Sequence, residues 1–221
     1  GGNVAELPGF AEGLFYVQDR AARTAAETAA PGQGMTVLDA CSAPGGKSFA
    51  AAIRMQGKGN ILSCDIHEKK LKLISAGAER LGIDIIKTAV MDARRRDAAL
   101  ENNFDVVIAD VPCSGLGVIA KKPEIRGKTE AEISALPAIQ RDILDNLSAY
   151  VKRDGVLLYS TCTVLRAENE DVVNAFLADD GEFAPEGFNV GGVSEPSGMH
   201  CFWPNVDGTD GFFAAKLRRI K

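Results

Sequence analysis

The chain has 221 residues, of which 46% are apolar, and this is enough for the buried core of one domain. No apolar stretch approaches the roughly 18 residues that span a bilayer, and no signal peptide opens the chain. We therefore expect a cytoplasmic protein without a membrane partner. The formal net charge of −5 argues against a uniformly basic nucleic-acid binder, although a local basic patch is enough to bind phosphates.

The cysteines and histidines argue against two further kinds of site. The chain has five cysteines, an odd number without a C-x-x-C pair, and only two histidines. This composition argues against a disulfide framework and against a zinc site, so we expect a reducing compartment and no metal. The opening Gly1-Gly2 indicates an artificial start or an internal cut, and we expect a monomeric piece of a longer protein.

Predicted helices and strands alternate along the chain. Residues 17–30 are alanine-rich and are predicted to form a helix that ends at Pro31-Gly32. The other predicted helices cover 45–55, 67–81, 130–152 and 166–178, and the predicted strands cover 35–41, 60–66, 85–91, 104–111, 155–162 and 211–218. The glycine-rich stretch 180–200 is expected to be irregular. The alternation predicts an α/β fold with a doubly wound, mostly parallel sheet and helices on both faces. An N-terminal extension, residues 1–30, is expected to pack on a domain formed by residues 31–221.

The loop after the first predicted strand indicates a bound cofactor. It contains Cys41, Ser42, Ala43, Pro44, Gly45, Gly46 and Lys47, and it leads into a helix. The backbone N–H groups of such a loop and the helix N-terminus can approach a ligand closely. A nucleotide-binding P-loop is excluded because Cys41 stands where its first glycine belongs, and the G-x-G-x-x-G fingerprint of dinucleotide-binding proteins does not occur. The remaining class of cofactor is S-adenosylmethionine.

Acidic residues follow the next three predicted strands. Asp65 ends the second strand and suits a ribose diol, and Asp92 follows the third strand and could reach an adenine amine. Asp110 follows the fourth strand. Any one of these carboxylates alone would be an ordinary cap at the end of a strand. All three positions together favour a cofactor site.

Two cysteines follow neighbouring buried strands, each in a short polar motif. Cys113 lies in Asp-Val-Pro-Cys-Ser-Gly, and Cys162 lies in Tyr-Ser-Thr-Cys-Thr. In an open α/β sheet, ligands bind at the carboxyl ends of the strands. Methylation of cytosine at C5 needs a thiolate there, because C5 becomes nucleophilic only after a thiolate has added to C6. DNA-type enzymes use the cysteine of a Pro-Cys motif, here Pro112-Cys113, so the motifs alone leave open which thiol attacks.

The sequence resembles the RNA 5-methylcytosine methyltransferases of the Nol–Nop–Sun group, most of all the catalytic domain of their bacterial 16S ribosomal RNA members. The resemblance covers nearly the whole chain and is carried by residues 15–19, 41–47, 65, 91–94, 110–117, 122–126, 161–162, 168–170 and 210–217. It implies a Rossmann-like methyltransferase fold, S-adenosylmethionine as the cofactor and RNA, specifically 16S rRNA, as the partner. The bacterial members also have an N-terminal RNA-binding domain that this sequence lacks.

The resemblance also implies roles for individual residues. Cys162 would be the nucleophile, and Cys113 would assist release of the methylated RNA. Asp110 would orient the flipped cytosine, and Lys47 would lie near the reacting centre. The cofactor would rest on the loop 41–47 and on the three aspartates at the strand ends: Asp65, Asp92 and Asp110.

The loop after the Pro-Cys motif provides three candidate RNA contacts, Lys121, Lys122 and Arg126. Ala120 stands in this loop where the family commonly has a basic residue, which weakens the expected contact there. Two alternatives remain: the same chemistry on tRNA or another rRNA site, and a catalytically silent RNA-binding or assembly factor with the same fold. A silent protein would have no chemical need for the four catalytic candidates together.

Overall fold

The structure is a computed structural model that describes residues 3–221, so the opening Gly1-Gly2 lies outside the described residues. Ten strands and seven α-helices account for most of this part of the chain. Among residues 3–221, no helix is both long enough and apolar enough to cross a membrane.

The centre of the molecule is an eight-stranded sheet with the order β3-β2-β1-β4-β5-β10-β6, and β9 pairs with β10. The strands are β1 (Thr36–Asp39), β2 (Asn60–Asp65), β3 (Ile86–Val90), β4 (Phe104–Asp110), β5 (Val151–Thr161), β6 (Phe183–Pro185), β7 (Phe188–Val190), β8 (Val193–Glu195), β9 (Met199–Phe202) and β10 (Phe212–Arg219). Strands β1 to β5 pair in parallel, and β10 runs antiparallel to β5, β6 and β9. The mostly parallel sheet predicted from the alternation, with helices on its faces, is therefore confirmed.

Helices cover both faces of the sheet. They are α1 (Arg20–Thr28), α2 (Gly46–Arg54), α3 (Glu68–Arg80), α4 (Glu130–Ser134), α5 (Leu136–Ser148), α6 (Glu170–Asp180) and α7 (Pro204–Asp207). Successive residues of a strand point to opposite faces, and β1 illustrates this. Leu38 packs in the cluster that includes Leu147 of α5 and Phe176 of α6, whereas Val37 packs in the cluster that includes the alanines of α1 and α2. Both faces of the central strands are therefore buried, which explains their continuous apolar sequence.

The single helix predicted over residues 130–152 is wrong. Thr129 caps α4 through a capping box with Glu132, and a separate helix, α5, begins at Leu136 with a proline in its first turn. The chain is already in β5 at Val151, where the sequence analysis still has a helix. Val151 pairs with Phe104, but the next pair along β4 joins Val106 to Val156, so residues 152–155 form a bulge rather than a helix end.

The stretch 180–200, expected to be irregular, contains four short strands. These are β6 to β9, each three or four residues long. Glycines with a positive φ, namely Gly191, Gly192 and Gly198, separate the later ones. Strands this short are too brief for a period-two pattern to be recognised in sequence, and it is pairing with β10 or with each other that stabilises them.

The polar ends of the parallel strands meet at one edge of the sheet. At this edge Gly45 turns the chain from β1 into α2 with a φ of 111°, a conformation that favours glycine. A Cβ atom at Gly45 would also lie 2.6 Å from the ring of Phe49. The loop therefore packs closely against the first turns of α2.

Asp39, at the carboxyl end of β1, provides a test of the fold by pH. Its carboxylate is fully buried, and burial raises its pKa to about 7 even though the hydrogen bond that Ser48 donates acts in the opposite direction. Its Oδ1 has no hydrogen-bond partner within the described residues. The pKa of 3.8 in the unfolded chain is lower, so the unfolded state loses its proton first and stability falls as the pH rises from about 4 to 7.

We expect Asp39→Asn to stabilise the protein at pH 8 by about 1–4 kcal/mol, and to lose this advantage towards pH 4. Urea denaturation at both pH values measures the difference. The exposed Asp84→Asn is the matched control and should change little. A variant that is less stable than the wild type at pH 8 would contradict the prediction.

Candidate active site

The structure brings the two cysteine motifs together. Strands β4 and β5 are neighbours, and Asp110 pairs with Ser160, so the residues after each strand leave the sheet side by side. The Sγ atoms of Cys113 and Cys162 are 3.2 Å apart, and the backbone N–H of Cys162 points at the Cys113 sulfur at 3.3 Å. Both thiols are free and half-buried. Two sulfur atoms in this contact can share one proton.

The environment distinguishes Cys162 from the other four thiols. The hydrogen bond from the Cys113 thiol lowers the pKa of Cys162 despite its burial, and the positive charges of Lys47 and Lys122 act in the same direction. The same hydrogen bond, together with burial, raises the pKa of Cys113. Burial also raises the thiol pKa of the remaining cysteines, Cys41, Cys64 and Cys201. The contact therefore lowers the pKa of Cys162 and raises that of Cys113, so Cys162 is the thiol of the pair that ionises more readily.

A buried cation and a carboxylate stand beside the thiols. The Nζ atom of Lys47 is 2.6 Å from Oδ2 of Asp110, and the hydroxyl of Ser160 donates to the other oxygen of that carboxylate at 2.8 Å. The Lys47 ammonium also lies 4.9 Å from the centroid of the Phe212 ring. Lys47 is buried, whereas Asp110 is partly exposed. The pair offers a positive donor and a negative acceptor to a polar ring placed next to Cys162.

A cavity of about 340 Å³ opens at the ends of β1 to β4. Its polar wall includes Asp65, Asp92 and Asp110, and its apolar wall includes Ile139 and Ile143 of α5. Cys41 and Ala43 of the glycine-rich loop form its floor. An adenosine-like group combines a flat apolar ring with a polar diol, and a cavity with one wall of each kind fits it.

The two outer aspartates of this cavity differ in what they can still bind. Oδ1 of Asp65 accepts the backbone N–H of His67, and within residues 3–221 its Oδ2 has no hydrogen-bond partner. Both oxygens of Asp92 already accept bonds from the side chain of Arg94, at 3.0 and 2.9 Å. Asp65 therefore has one carboxylate oxygen free to accept a hydrogen bond from a diol. A ligand that donates to Asp92 would have to compete with the Arg94 side chain for its oxygens.

A second cavity, of about 180 Å³, lies on the other side of the glycine-rich loop. Cys41, Ala43 and Asp110 line both cavities. The smaller cavity is also lined by four other residues of the predicted cofactor loop: Ser42, Pro44, Gly46 and Lys47. The hydroxyl of Ser42 donates to the carbonyl of Cys64 and so ties the loop to β2. Gly45 lines neither cavity. Across residues 3–221, no group of three or more His, Cys, Asp or Glu side chains is arranged to hold a metal ion.

The three candidate RNA contacts are all exposed, but they are not equivalent. The Nζ atom of Lys121 bridges Asp19 at 2.9 Å and Asp210 at 2.6 Å, so it joins the loop to the start of α1 and to the segment before β10. Lys122 and Arg126 have no ion-pair partner among residues 3–221. Two of the three cations are therefore available to phosphates, and Lys121 is engaged within the protein.

A buried polar network lies behind the thiols. The sequence singled out Glu168 only as part of the stretch 168–170 that carries the family resemblance, and assigned it no role. The fully buried Glu168 accepts the backbone N–H of Ser114 at 2.8 Å and the amide of Gln140 at 2.9 Å. Lys128 donates to the carbonyls of Cys113 and Ser114 at 3.1 and 2.8 Å. These contacts hold the turn that carries Cys113. The signal in the sequence was weak, because an acidic residue before a helix is usually exposed.

The thiol pair predicts a pH dependence for alkylation. In the wild type, Cys162 should react with iodoacetamide at a lower pH than an ordinary thiol. In Cys113→Ala the donor is gone, while burial and the charge of Asp110 remain, so the pH midpoint of the reaction should rise. Peptide mass mapping locates the modified cysteine, and Cys201→Ala is the control. An unchanged or lower midpoint in Cys113→Ala would refute the shared proton.

The bridge made by Lys121 predicts that its loss affects stability more than RNA binding. Lys121→Met should lower the free energy of unfolding by about 0.5–1 kcal/mol, because the lysine side chain is 58% exposed and the pairs are screened. Lys122→Met should instead leave stability unchanged and reduce the slope of log Kd for RNA against log salt by about 0.7. Thermal denaturation and salt titration separate the two effects. A reduced slope in Lys121→Met with unchanged stability would reverse the assignment.

Comparison with known proteins identifies the family. The model of the 16S rRNA methyltransferase RsmB/F family matches residues 26–218. The chain is 39% identical over 226 residues to the probable ribosomal RNA small subunit methyltransferase B of Bacillus subtilis, covering 99% of this chain and 51% of that protein. It is 36% identical to ribosomal RNA small subunit methyltransferase B of Pseudomonas putida, with 99% of this chain and 50% of that protein covered. The chain thus spans about half the length of the curated relatives it matches.

Solved structures agree with this assignment. The fold matches NSun6 from Pyrococcus horikoshii, solved with SFG, with a TM-score of 0.87 and 31% identity over 100% of this chain and 57% of that one. A methyltransferase homologue from Pyrococcus horikoshii gives a TM-score of 0.85 and 26% identity, covering 99% and 72%. The resemblance to RNA methyltransferases predicted from the motifs is confirmed. The chain belongs to the 16S rRNA methyltransferase RsmB/F family.

Proposed function

We propose that the protein transfers a methyl group from S-adenosylmethionine to C5 of a cytosine in 16S rRNA, through a covalent bond between Cys162 and C6 of the base. The observation that carries this proposal is the contact between Cys113 and Cys162 beside the Lys47–Asp110 pair. A thiolate, a buried cation and a carboxylate acceptor are the groups that activation of a cytosine ring requires.

Membership in a methyltransferase family and a structural relative solved with SFG support S-adenosylmethionine as the cofactor. The 340 Å³ cavity would hold it, with Asp65 at the diol and the apolar residues of α5 against the adenine ring. When bound, the cofactor supplies an electrophilic methyl group on a positively charged sulfur. Cys41, Ala43 and Asp110 line both this cavity and the smaller one, and Lys47 lines the smaller one, which supports a methyl donor held close to the Lys47–Asp110 pair.

The first chemical task of the chain is to activate the cytosine. The base must leave its stack to enter the site, at a cost of a few kcal/mol. The Asp110 carboxylate can accept from the exocyclic amine, and the Lys47 ammonium can donate to the ring acceptors. The Cys162 thiolate then forms a bond to C6, and the electron pair of the C5–C6 double bond moves towards C5. Lys47 stabilises the negative charge that spreads into the ring.

The second task is release. After C5 has taken the methyl group it carries both that group and a proton. A base removes this proton, its electron pair restores the C5–C6 double bond, and the C6–sulfur bond breaks to return the Cys162 thiolate. Cys113 lies 3.2 Å from the sulfur of that bond, and we assign it to assistance in this step.

The roles of the two thiols can be separated with two variants. Cys162→Ser should lose turnover by about 10³-fold or more and form no covalent RNA adduct, because the nucleophile is gone. Cys113→Ala should still attack and methylate but fail to release, so RNA remains attached through Cys162. A denaturing gel with S-adenosylmethionine and 16S rRNA transcript detects the adduct.

Cys201→Ala, which changes a half-buried cysteine on β9, is the control and should behave as the wild type. If Cys162→Ser retains the adduct and Cys113→Ala abolishes it, the roles are exchanged and the enzyme follows the DNA-type arrangement. Absence of any methyl transfer or adduct with the wild type would favour a silent RNA-binding factor.

A further inference from the structure

An exposed tryptophan lies at the same edge of the sheet as the candidate active site. Trp203 is the single tryptophan of the chain, it follows β9 directly, and 45% of its surface is exposed. Strand β9 runs antiparallel to β10, which runs antiparallel to β5, so β9 and β5 point the same way. Trp203 therefore leaves the sheet at the edge where Cys162 follows β5.

Backbone hydrogen bonds connect the loop that begins at Trp203 to the turn that carries Cys162. The N–H of Gly117 donates to the carbonyl of Cys162 at 3.0 Å, and the N–H of Gly211 donates to the carbonyl of Gly117 at 2.8 Å. Phe202 pairs with Phe212, which sets Trp203 opposite Gly211. Neighbouring backbones in a sheet lie about 5 Å apart, so three such steps put the backbone of Trp203 within about 15 Å of Cys162.

The chain holds the backbone at Trp203 in place. Its N–H donates to Oδ2 of Asp207 at 2.7 Å, and its carbonyl accepts the N–H groups of Val206 and Asp207 at 3.0 and 2.8 Å. The far end of the same loop is tied by the ion pair between Asp210 and Lys121. A large aromatic side chain on such a backbone can bind a flat partner with little ordering cost.

We propose that the indole of Trp203 stacks on a nucleotide base that flanks the target cytosine. The proposal rests on the proposed function, because flipping the cytosine leaves its neighbours without a stacking partner. Aromatic side chains replace that partner in single-stranded RNA recognition, and they do so with little dependence on sequence. Trp203 is therefore a positioning residue for the RNA, in addition to the phosphate contacts expected from Lys122 and Arg126.

The short helix α7 contains a matched control. Val206 lies three residues further on and is 75% exposed, but it has no aromatic face. Loss of its side chain removes exposed apolar surface from the same loop without removing a stacking surface. A general loss of loop structure would affect both positions, whereas stacking would affect only Trp203.

Because Trp203 is the only tryptophan, its fluorescence reports on the contact directly. Titration of the wild type with a short oligocytidylate RNA should quench this fluorescence in a saturable way, whereas an abasic oligomer of the same length should bind without quenching. Trp203→Ala should raise the Kd for the oligocytidylate by about 5- to 150-fold. Trp203→Phe should recover most of the affinity, and Val206→Ala should match the wild type.

Methylation assays with 16S rRNA transcript separate this proposal from the proposed function. Trp203→Ala should raise KM with little change in kcat, since the indole does not touch the reacting atoms. Binding of oligocytidylate without quenching, or an unchanged Kd and KM in Trp203→Ala, would overturn the stacking and leave the methyltransferase standing. Quenching in the wild type and a raised Kd in Trp203→Ala, together with a wild type that never methylates RNA, would support the stacking and refute the methyltransferase.

Discussion

The parallel pairing of β4 with β5 is the constraint on which the candidate site depends. It aligns Asp110 with Ser160, whose hydroxyl then donates to the carboxylate, and it sends Cys113 and Cys162 off the sheet in contact. If the two motifs lay apart, neither thiol could affect the ionisation of the other. A one-residue slip in the register would turn each strand-end side chain to the opposite face and separate the thiols.

The buried carboxylate that supports the turn of Cys113 has no positively charged partner among residues 3–221. Glu168 is fully buried, and its partners are an amide and a backbone N–H rather than a cation. Within the described residues, one oxygen of Glu168 and the side-chain oxygen of Gln140 have no partner. Buried polar atoms without partners cost free energy, and such costs are often found next to functional sites. The network holds the Cys113 turn at the expense of some stability.

The loop after the Pro-Cys motif is held at both ends by lysines that act within the protein. Lys121 bridges to Asp19 and Asp210, and Lys128 binds the carbonyls beside Cys113. Lys122, between them, has no such partner among residues 3–221 and adds to the positive potential at Cys162. Of these adjacent lysines, Lys121 is held by ion pairs within the described part of the protein and Lys122 is not, and only their neighbours in space distinguish them.

Much of the fold was predictable because its signals are local. The apolar run of β4, the periodic apolar face of α3 and the glycines before α2 each lie within a short window of sequence, and their elements form within one residue of the expected bounds. The prediction over 130–152 was wrong because Tyr150 continues a helical spacing of apolar residues but lies in the turn before β5. The strands β6 to β9 are stabilised mainly by pairing, which no local pattern reveals.

The alternation of strands and helices, the glycine-rich loop and the two cysteine motifs can be read from the amino-acid sequence, because each depends on residues close together in the chain. The tertiary structure alone brings the sulfur atoms of Cys113 and Cys162 to 3.2 Å, buries Glu168 behind them and engages Lys121 in ion pairs within the protein. Lys121 is 102 residues from Asp19 and 89 from Asp210. Contacts over such separations depend on the order in which the strands pair. That order is stabilised by interactions throughout the sheet, so no short stretch of sequence reveals it.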